Sequence, residues 1–371
     1  MRSATLLSTL ATLPALASAI KTPRDDAANV TLSLVKLGPE EAPIWVSDEQ
    51  KETFIQQHIN FFDITHITDE EFLAGVSKPD GSVARRAVSY PSTVRYTASA
   101  SSMLRAINDS EPQEWLRKLT DFRNRHYRST YGTQSAAWLT EKLTEISAAN
   151  PAISVSQYTH RYNQPSIVVR IPGSRDDLVV VGAHFDSTGG SSSARGPGAE
   201  DNGSGVVALM EALRVMAEAD FAPENTLEFH FYSGEEGGLL GSADIWQSYK
   251  KQRKSVVGFL NQDMAGYSPS GKVSIYTDYA DSALTLYARV VAQAYTGTST
   301  TSDTCGYACS DHGSAYAAGY PAVYACDEPM ATAFEDLHSP ADRYDVVDFE
   351  TVVRHAKFTL GFLVEASHIQ I

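Results

Sequence analysis

Apolar and polar positions follow two different periods along most of the chain. Four stretches carry apolar side chains at helical spacing and predict helices: 114–127, 135–150, 205–219 and 280–295. Three short apolar runs predict buried strands: 166–171, 177–185 and 226–232. Because strands and helices follow one another repeatedly, we expect an α/β fold with a mixed, largely parallel central sheet sandwiched by helices. The Gly- and Ser-rich stretch 187–198 predicts a flexible surface loop.

The first 19 residues have a pattern of their own. A basic start, a short apolar stretch and small residues at Ala17 and Ala19 predict a signal peptide cleaved before Ile20. The apolar stretch is too short to span a bilayer, and no later segment has about 18 uninterrupted apolar residues. We therefore expect a secreted protein with no membrane partner.

Residues 20–88 form a charged segment with the basic pair Arg85 and Arg86 near its end. A signal, an acidic segment and a dibasic pair in this order predict a removable propeptide at 20–88, followed by a catalytic domain at 89–371. An ordinary N-terminal domain is the alternative. We favour the propeptide because the candidate chemistry lies entirely after it.

The charge balance argues against one class of partner. Thirty Lys and Arg residues stand against 45 Asp and Glu residues, which gives a formal net charge of −15. A nucleic-acid-binding surface is therefore not expected. The balance does not identify a substrate, and we expect the chain to act as a monomer.

Histidines and carboxylates lie in the loops around the ends of the predicted strands. They are His184, Asp186, Asp201, Glu235, Glu236, Asp263 and His338. Taken singly, each has an ordinary explanation as a helix cap, a turn residue or a hydrogen-bonded structural histidine. In parallel sheets, however, ligands bind where the strands run out at their carboxyl ends. Together the imidazoles and carboxylates suit zinc better than calcium, and they suffice for two ions if one carboxylate bridges them.

Glu235 and Glu236 are adjacent, lie between glycines and directly follow an apolar strand. Successive side chains point to different sides of such a backbone, so one glutamate can bind metal while its neighbour faces the attacking water as a general base. Asp186, two residues beyond His184, is a candidate partner that holds this imidazole in its metal-binding tautomer.

With these residues assembled, the sequence closely resembles the secreted di-zinc leucine aminopeptidases of fungi and bacteria, a family of co-catalytic zinc exopeptidases. The resemblance covers roughly residues 90–371. It depends on six motifs that occur in the family's order: AHFDS, EDNGSG, SGEEGGLLGS, NQDMAGY, CGYACSDH and LHSPAD. The resemblance also extends to an N-terminal signal and an inhibitory prosegment, although the residues themselves do not decide between inhibition and assistance in folding.

The resemblance assigns a role to each residue of the donor set. It implies two zinc ions bridged by Asp201. His184 and Asp263 would complete one ion, Glu236 and His338 its neighbour. It further implies that Glu235 is the general base and that the peptide bond from Asp201 to Asn202 is cis.

Two of the three cysteines lie close together in the sequence. In an oxidising compartment Cys305 and Cys309 would form a disulfide that closes a small loop, leaving Cys326 unpaired. Two reduced core thiols are the alternative. The resembled family has such a disulfide near its active site, and the resemblance implies that Tyr307 inside the loop contacts the reacting carbonyl oxygen.

Apolar residues near the motifs predict the side-chain pocket. They are Met264, Met330, Phe334 and Leu337. Such walls favour leucine-like side chains, although they discriminate by only about 1–3 kcal/mol per methylene. We expect an aminopeptidase that removes N-terminal apolar residues, preferentially leucine, from peptides with a free N-terminus through a zinc-activated water.

Other functions remain open for this fold. A carboxypeptidase would need a cation for the terminal carboxylate, and no Arg cluster accompanies the motifs. A cyclase of similar fold usually has one zinc, whereas five ligand candidates are present. A receptor-like binding module without metals is the non-catalytic alternative.

Sequons at Asn29 and Asn108 predict glycosylation in a secreted protein. A third sequon, at Asn202, lies inside a metal motif and is expected to be too enclosed for a glycan.

Overall fold

A computed structural model describes residues 31–78, 88–307 and 309–371. The strands in these ranges are β1 (Leu32–Lys36), β2 (Ile44–Ser47), β3 (Phe62–Asp63), β4 (Ser154–Tyr158), β5 (Ser166–Ile171), β6 (Arg175–His184), β7 (Asn225–Tyr232), β8 (Val256–Gln262), β9 (Val273–Tyr276), β10 (Thr300–Asp303) and β11 (Ala322–Cys326). The helices are α1 (Asp48–Gln56), α2 (Glu70–Val76), α3 (Thr97–Ala106), α4 (Ser110–Asp121), α5 (Thr130–Ser147), α6 (Gly205–Glu218), α7 (Leu240–Gln252), α8 (Ser282–Thr296), α9 (His312–Ala317) and α10 (Phe349–Ala366).

Within the described residues, eight strands form the central sheet in the order β10-β9-β11-β8-β6-β7-β5-β4. The pairs β10/β9, β11/β8, β8/β6 and β6/β7 are parallel, whereas β9/β11, β7/β5 and β5/β4 are antiparallel. The predicted mixed, largely parallel sheet is confirmed.

The middle of the sheet is buried on both faces, as its almost uninterrupted apolar runs require. Val179 and Val181 of β6 belong to the larger core cluster, which includes side chains of α6 and α10. Leu178 and Val180 belong to a second cluster with Trp246 of α7. Because successive strand residues point to opposite faces, one strand contributes to both cores and fixes the two helical layers.

The three predicted buried strands correspond to β5, β6 and β7, with ends shifted by at most two residues. The helix predicted at 114–127 instead ends at Asp121, because Phe122 is in an extended conformation. The segment 187–198, predicted as a surface loop, lies only partly at the surface. Six of its twelve residues are buried, four are half-buried, and Ser193 and Arg195 are exposed.

The N-terminal segment folds together with the central sheet and its helices. Residues 32–371 form one compact unit. Strands β1, β2 and β3 form a small antiparallel sheet, in the order β2-β1-β3. Helix α1 begins with a capping box between Ser47 and Gln50. Helix α2 packs so closely on α9 that a Cβ at Gly75 would lie 2.6 Å from the carbonyl oxygen of Ala317.

Among the described residues, none of the helices has the length and apolar composition that crossing a membrane requires. The predicted signal peptide, the sequon at Asn29 and the basic pair Arg85 and Arg86 lie outside the described residues.

Candidate metal centre

Three neighbouring parallel strands end at the same edge of the sheet and bring the first donor residues together. His184 is the last residue of β6 and pairs in register with Tyr232, the last residue of β7. Strand β8 lies on the other side of β6, with Gly182 opposite Asn261. Asp263 directly follows β8, and the turn that carries Glu235 and Glu236 directly follows β7.

Asp201 reaches the same place from an irregular turn, Ala199–Ser204, that leads into α6. The peptide bond between Asp201 and Asn202 is cis, as the resemblance implies. The carboxylate of Asp342 accepts hydrogen bonds from the backbone N–H groups of Glu200 (2.7 Å) and Asp201 (3.0 Å). The side-chain oxygen of Asn202 accepts from the backbone of Met264 (3.0 Å), which ties this turn to the end of β8.

The donor atoms form two groups that share Asp201. In the first group, Nε2 of His184 lies 3.2 Å from Oδ1 of Asp201 and 3.3 Å from Oδ1 of Asp263. In the second group, Nε2 of His338 lies 3.0 Å from Oδ2 of Asp201 and 3.1 Å from Oε2 of Glu236. Within each group the donor atoms all lie within 4.8 Å of one another. The structure therefore brings together all five residues predicted as metal ligands.

The electrostatics of the centre favour cations. Burial raises the pKa of Glu236 to about 7, even though His338 lowers it. Burial also raises the pKa of Glu235 well above its ordinary value, and the charges of Asp311 and Asp263 add to this shift. Burial would raise the pKa of Asp201 too, but hydrogen bonds with His184 and His338 lower it. Carboxylates crowded in this way gain from a bound positive charge.

The donor set fits zinc. Oε1 of Glu236 is buried and has no hydrogen-bond partner among the described residues, although such atoms usually find one. Each group offers one imidazole nitrogen and two carboxylates, and three protein ligands are what a catalytic zinc site needs.

Asp186 acts on the centre differently from the prediction. The atom that contacts Nδ1 of His184 at 3.2 Å is the backbone carbonyl oxygen of Asp186, whereas its carboxylate lies 3.7 Å away. The carboxylate instead accepts hydrogen bonds from the backbone N–H groups of Glu235 (3.0 Å) and Glu236 (3.3 Å). Asp186 therefore contacts the imidazole through its main chain and supports the glutamate turn through its side chain.

A cavity opens directly over the metal centre. Glu235 lines it together with all five predicted ligands. Met264, Met330 and Leu337, which the sequence suggested as pocket walls, line it as well. Phe334 is not among the lining residues, and its ring packs against Tyr267 at 5.5 Å between centroids.

The N-terminal segment also lines this cavity. It contributes Ile55, His58, Ile59, Asn60 and Phe61. The ring of His58 stacks on that of His338, with 5.6 Å between centroids. The backbone carbonyl oxygen of Ile55 lies 3.3 Å from Nδ1 of His338. Residues upstream of 88 therefore touch a metal-ligand candidate directly.

Cys305 and Cys309 form the expected disulfide, and Cys326 is free and buried. Cys309 lines the cavity. Tyr307 is not among the lining residues, and its ring meets Tyr279 edge-on at 5.8 Å. Its hydroxyl is buried without a hydrogen-bond partner among the described residues. The role of Tyr307 at the substrate carbonyl stays a prediction.

Sequence reasoning missed two supports of the centre. Arg125 is fully buried and donates hydrogen bonds to the carbonyl oxygens of Phe185 (2.6 Å) and Gly198 (2.8 Å), on either side of the loop that precedes Asp201. The hydroxyl of Ser310 donates to Oδ2 of Asp263. Neither residue is a typical metal ligand, so its residue type gave no signal. The position of Ser310 directly after the disulfide loop could have suggested a role near the site, whereas Arg125 lies in a segment predicted as helix and gave no such indication.

The comparison with protein families decides the affiliation of this site. The model of peptidase family M28 matches residues 166–363, a range that includes His184, Asp201, Glu235, Glu236, Asp263 and His338. The chain belongs to peptidase family M28. It is therefore a metallo-aminopeptidase, as its curated relatives also indicate.

Curated relatives and solved structures are similar to 70–92% of this chain. Leucine aminopeptidase 1 of Arthroderma otae is 39% identical over 349 residues, which cover 90% of this chain and 91% of the relative. The crystal structure of the LapA aminopeptidase of Legionella pneumophila has a TM-score of 0.80 at 24% identity and covers 92% of this chain and 95% of that one. A Zn-dependent exopeptidase from Parabacteroides distasonis has a TM-score of 0.57 at 16% identity, covering 70% and 98%.

Proposed function

We propose that this M28 aminopeptidase removes apolar N-terminal residues, preferentially leucine, from peptides by means of two zinc ions and the general base Glu235. The single observation that carries the proposal is the pair of donor groups joined through the two oxygens of Asp201. The preference for leucine is supported by the names of the fungal relatives and by Met264 and Leu337 in the cavity wall.

The chemistry divides between the ions and the chain. Zinc, when bound, supplies a Lewis acid that polarises the scissile carbonyl and lowers the pKa of water. Glu235 accepts the proton of the attacking water and delivers it to the leaving amine. Burial suits this task because it raises the pKa of Glu235, and a carboxylate with a raised pKa is a stronger base.

The charged groups that line the cavity support selection for a free N-terminus. Four carboxylates, those of Asp201, Glu235, Glu236 and Asp263, line it, and no Lys or Arg does so among the described residues. In the proposed centre the zinc ions would balance these carboxylates, and a free amine would bind one of the ions. The terminal carboxylate that a carboxypeptidase must bind would find no cationic side chain.

The test is a panel of aminoacyl anilides assayed together with metal content. We expect two zinc ions per chain, fastest hydrolysis of the leucine derivative, and no hydrolysis of its N-acetyl analogue. Glu235→Gln should lose at least about a hundredfold in kcat while keeping its zinc. Full activity of Glu235→Gln, or faster hydrolysis of the acetylated substrate, would refute the proposal.

We further propose that residues 1–19 are a signal peptide, that 20–88 are a propeptide, and that 89–371 are the secreted, monomeric catalytic domain with a glycan on Asn108. The contacts of His58 and Ile55 with His338 support an inhibitory role for the propeptide. N-terminal sequencing and the mass of the secreted protein test the boundaries, the glycan and the oligomeric state. A mature protein that keeps residues 32–78 would contradict the propeptide.

A further inference from the structure

A chain of hydrogen bonds leads from Asp244 on helix α7, whose side chain is partly exposed, inward to the turn that carries the two glutamates. Oδ2 of Asp244 lies 2.9 Å from Nδ1 of His160, and Nε2 of His160 lies 2.8 Å from the hydroxyl of Ser166. The same hydroxyl oxygen accepts a hydrogen bond from the backbone N–H of Ser233 at 3.0 Å. We call Asp244, His160 and Ser166 the relay.

If the imidazole of His160 is neutral, only one assignment of donors and acceptors satisfies all three hydrogen bonds of the relay. Ser166 accepts from the backbone N–H of Ser233, so its own O–H is free to donate to Nε2 of His160. The imidazole then carries its proton on Nδ1 and donates it to Asp244. Every link has a donor and an acceptor, which the buried His160 and Ser166 side chains require, while the carboxylate of Asp244 is partly exposed.

The residue types match a Ser-His-Asp triad, but the packing excludes a nucleophilic serine. Ser166 is fully buried. A Cβ at Gly241 would lie 2.9 Å from its hydroxyl oxygen and 2.2 Å from the carbonyl oxygen of Ser233. No substrate carbonyl can approach a hydroxyl enclosed in this way, so the relay has a positioning task.

Ser233 is held at three further points. Its carbonyl oxygen accepts from the hydroxyl of Tyr162 (2.9 Å) and from the backbone N–H of Gly241 (3.1 Å). Its own hydroxyl donates to the carbonyl oxygen of Gln164 (3.0 Å). Ser233 is thus a fixed point of the backbone just two residues before Glu235.

The second fixed point lies on the other side of Gly234, which has a φ of +69°. The backbone N–H groups of Glu235 and Glu236 are held by the carboxylate of Asp186. One flexible glycine therefore separates two anchors. Because a glycine has a wide range of backbone conformations, the direction of Glu235 depends on both anchors.

We propose that His160, through Ser166 and Ser233, is a positioning residue for the base Glu235 in the aminopeptidase reaction. This inference rests on the proposed role of Glu235. A displacement of about 1 Å at a reacting group can cost up to about a hundredfold in rate, so a loose anchor reduces kcat more than substrate binding.

The experiment compares variants of His160 in the full chain, assayed in whichever processed form makes the wild type active. His160→Ala removes both links, and we expect a kcat at least about tenfold lower with KM and zinc content nearly unchanged. His160→Gln can still reach Ser166, whereas His160→Asn can still reach only Asp244. The kcat of His160→Gln should therefore be higher than that of His160→Ala, whereas the kcat of His160→Asn should not.

The matched control is His230, which is also buried but bonds to Glu228 and to Tyr232 rather than to the turn. His230→Gln should lower Tm without the selective loss of kcat. Amide hydrogen exchange of residues 233–239 gives a readout independent of activity, and exchange there should be faster in His160→Ala than in His230→Gln.

The outcomes separate the two proposals. If Glu235→Gln is inactive but His160→Ala keeps its kcat and its exchange protection, the positioning role is wrong and the proposed function stands. If Gln and Asn at position 160 lose activity equally and in proportion to Tm, the relay is merely structural. If Glu235→Gln stays active, the proposed function itself fails.

Discussion

Asp201 contacts both imidazoles of the metal centre, one with each of its carboxylate oxygens. Its backbone is held by the carboxylate of Asp342, which accepts hydrogen bonds from the N–H groups of Glu200 and Asp201. If Asp201 bridges two ions as proposed, it must be fixed in this way, because a small rotation would favour one ion over the other. The rigidity of this residue is therefore part of the centre's chemistry.

At the scale of single residues, the metal-free protein should lose stability as the pH rises. The folded pKa of Glu236 is raised to about 7 from an ordinary value of 4.5. A raised carboxyl pKa contributes stability that is complete below the unfolded pKa and is lost as pH rises through the folded value. Between pH 5 and pH 8 this group alone would cost about 3 kcal/mol, at about 1.4 kcal/mol per pKa unit. Tm of the chelator-treated protein at both pH values measures the loss.

Zinc-loaded protein provides the comparison, because bound cations stabilise the ionised carboxylates and should flatten the decline. Metal-free Glu236→Gln should also decline less steeply, since it lacks the titrating group. If metal-free Glu236→Gln loses as much stability between pH 5 and pH 8 as the metal-free wild type, Glu236 does not have the raised pKa.

The pattern of apolar residues in the sequence identified the central strands that are buried on both faces. The runs at 166–171, 177–185 and 226–232 are central strands, and their ends delivered His184 and the glutamate turn to one edge. The short polar strand Thr300–Asp303 escaped prediction, because it lies at the edge of the sheet and is only partly buried. The strands β9 and β11 also escaped prediction although they are buried, because a run of four or five residues is too short to give a clear period.

The loop at 187–198 shows the other limit of sequence patterns. Its Gly and Ser residues are typical of a solvated loop, yet side chains from the non-helical segment after α4 hold half of it in the interior. Asn124 donates to the carbonyl oxygens of Ser192 (3.1 Å) and Ala194 (2.7 Å), and Arg125 donates to that of Gly198. These partners are some 70 positions away in the chain, so no local pattern could predict them.

Arg125→Met should destabilise this loop and, through it, the metal centre. Arg125 donates to the carbonyl oxygens of Phe185, Pro197 and Gly198. The substitution would leave those of Phe185 and Pro197 without this donor in the interior, whereas that of Gly198 keeps its bond from the backbone N–H of Gly203. We expect a loss of unfolding free energy on the order of 3 kcal/mol and faster loss of zinc to a chelator. Denaturant titration and chelator competition measure the two effects.

Arg123 offers a matched control two positions away. It is exposed and donates a single hydrogen bond to the carbonyl oxygen of Ser193. Arg123→Met should change stability by less than about 0.5 kcal/mol. Equal effects of the two substitutions would mean that Arg125 acts through general charge rather than through the loop it holds.

At the scale of the whole molecule, the segment 32–78 belongs to the same compact unit as the metal centre. Phe62, Phe72 and Val76 belong to the core cluster that also includes Tyr316 and Ala317. In addition, Lys51 and Asp63 form a buried ion pair within the segment at 2.8 Å. Sequence composition indicated a separable segment but could not predict this docking, because the contacts are distant in the chain.

The docking suggests a direct test of inhibition by the N-terminal segment. Gly75 lies where α2 touches α9, and a Cβ there would meet the backbone of Ala317 at 2.6 Å. Leucine is a better helix former than glycine by nearly 1 kcal/mol, so Gly75→Leu should weaken the docking through the clash and not through the helix. We expect the unprocessed variant to hydrolyse leucine anilide faster than the unprocessed wild type.

Ala74→Leu is the matched control, because Ala74 is exposed on the same helix. It should leave the activity of the unprocessed chain unchanged. After removal of the segment both variants have the wild-type sequence, so equal kcat at that point shows that the catalytic domain folded correctly. If unprocessed Gly75→Leu is no more active than the wild type while its segment has become sensitive to protease, the segment undocks without exposing the metal centre, and inhibition by docking is wrong.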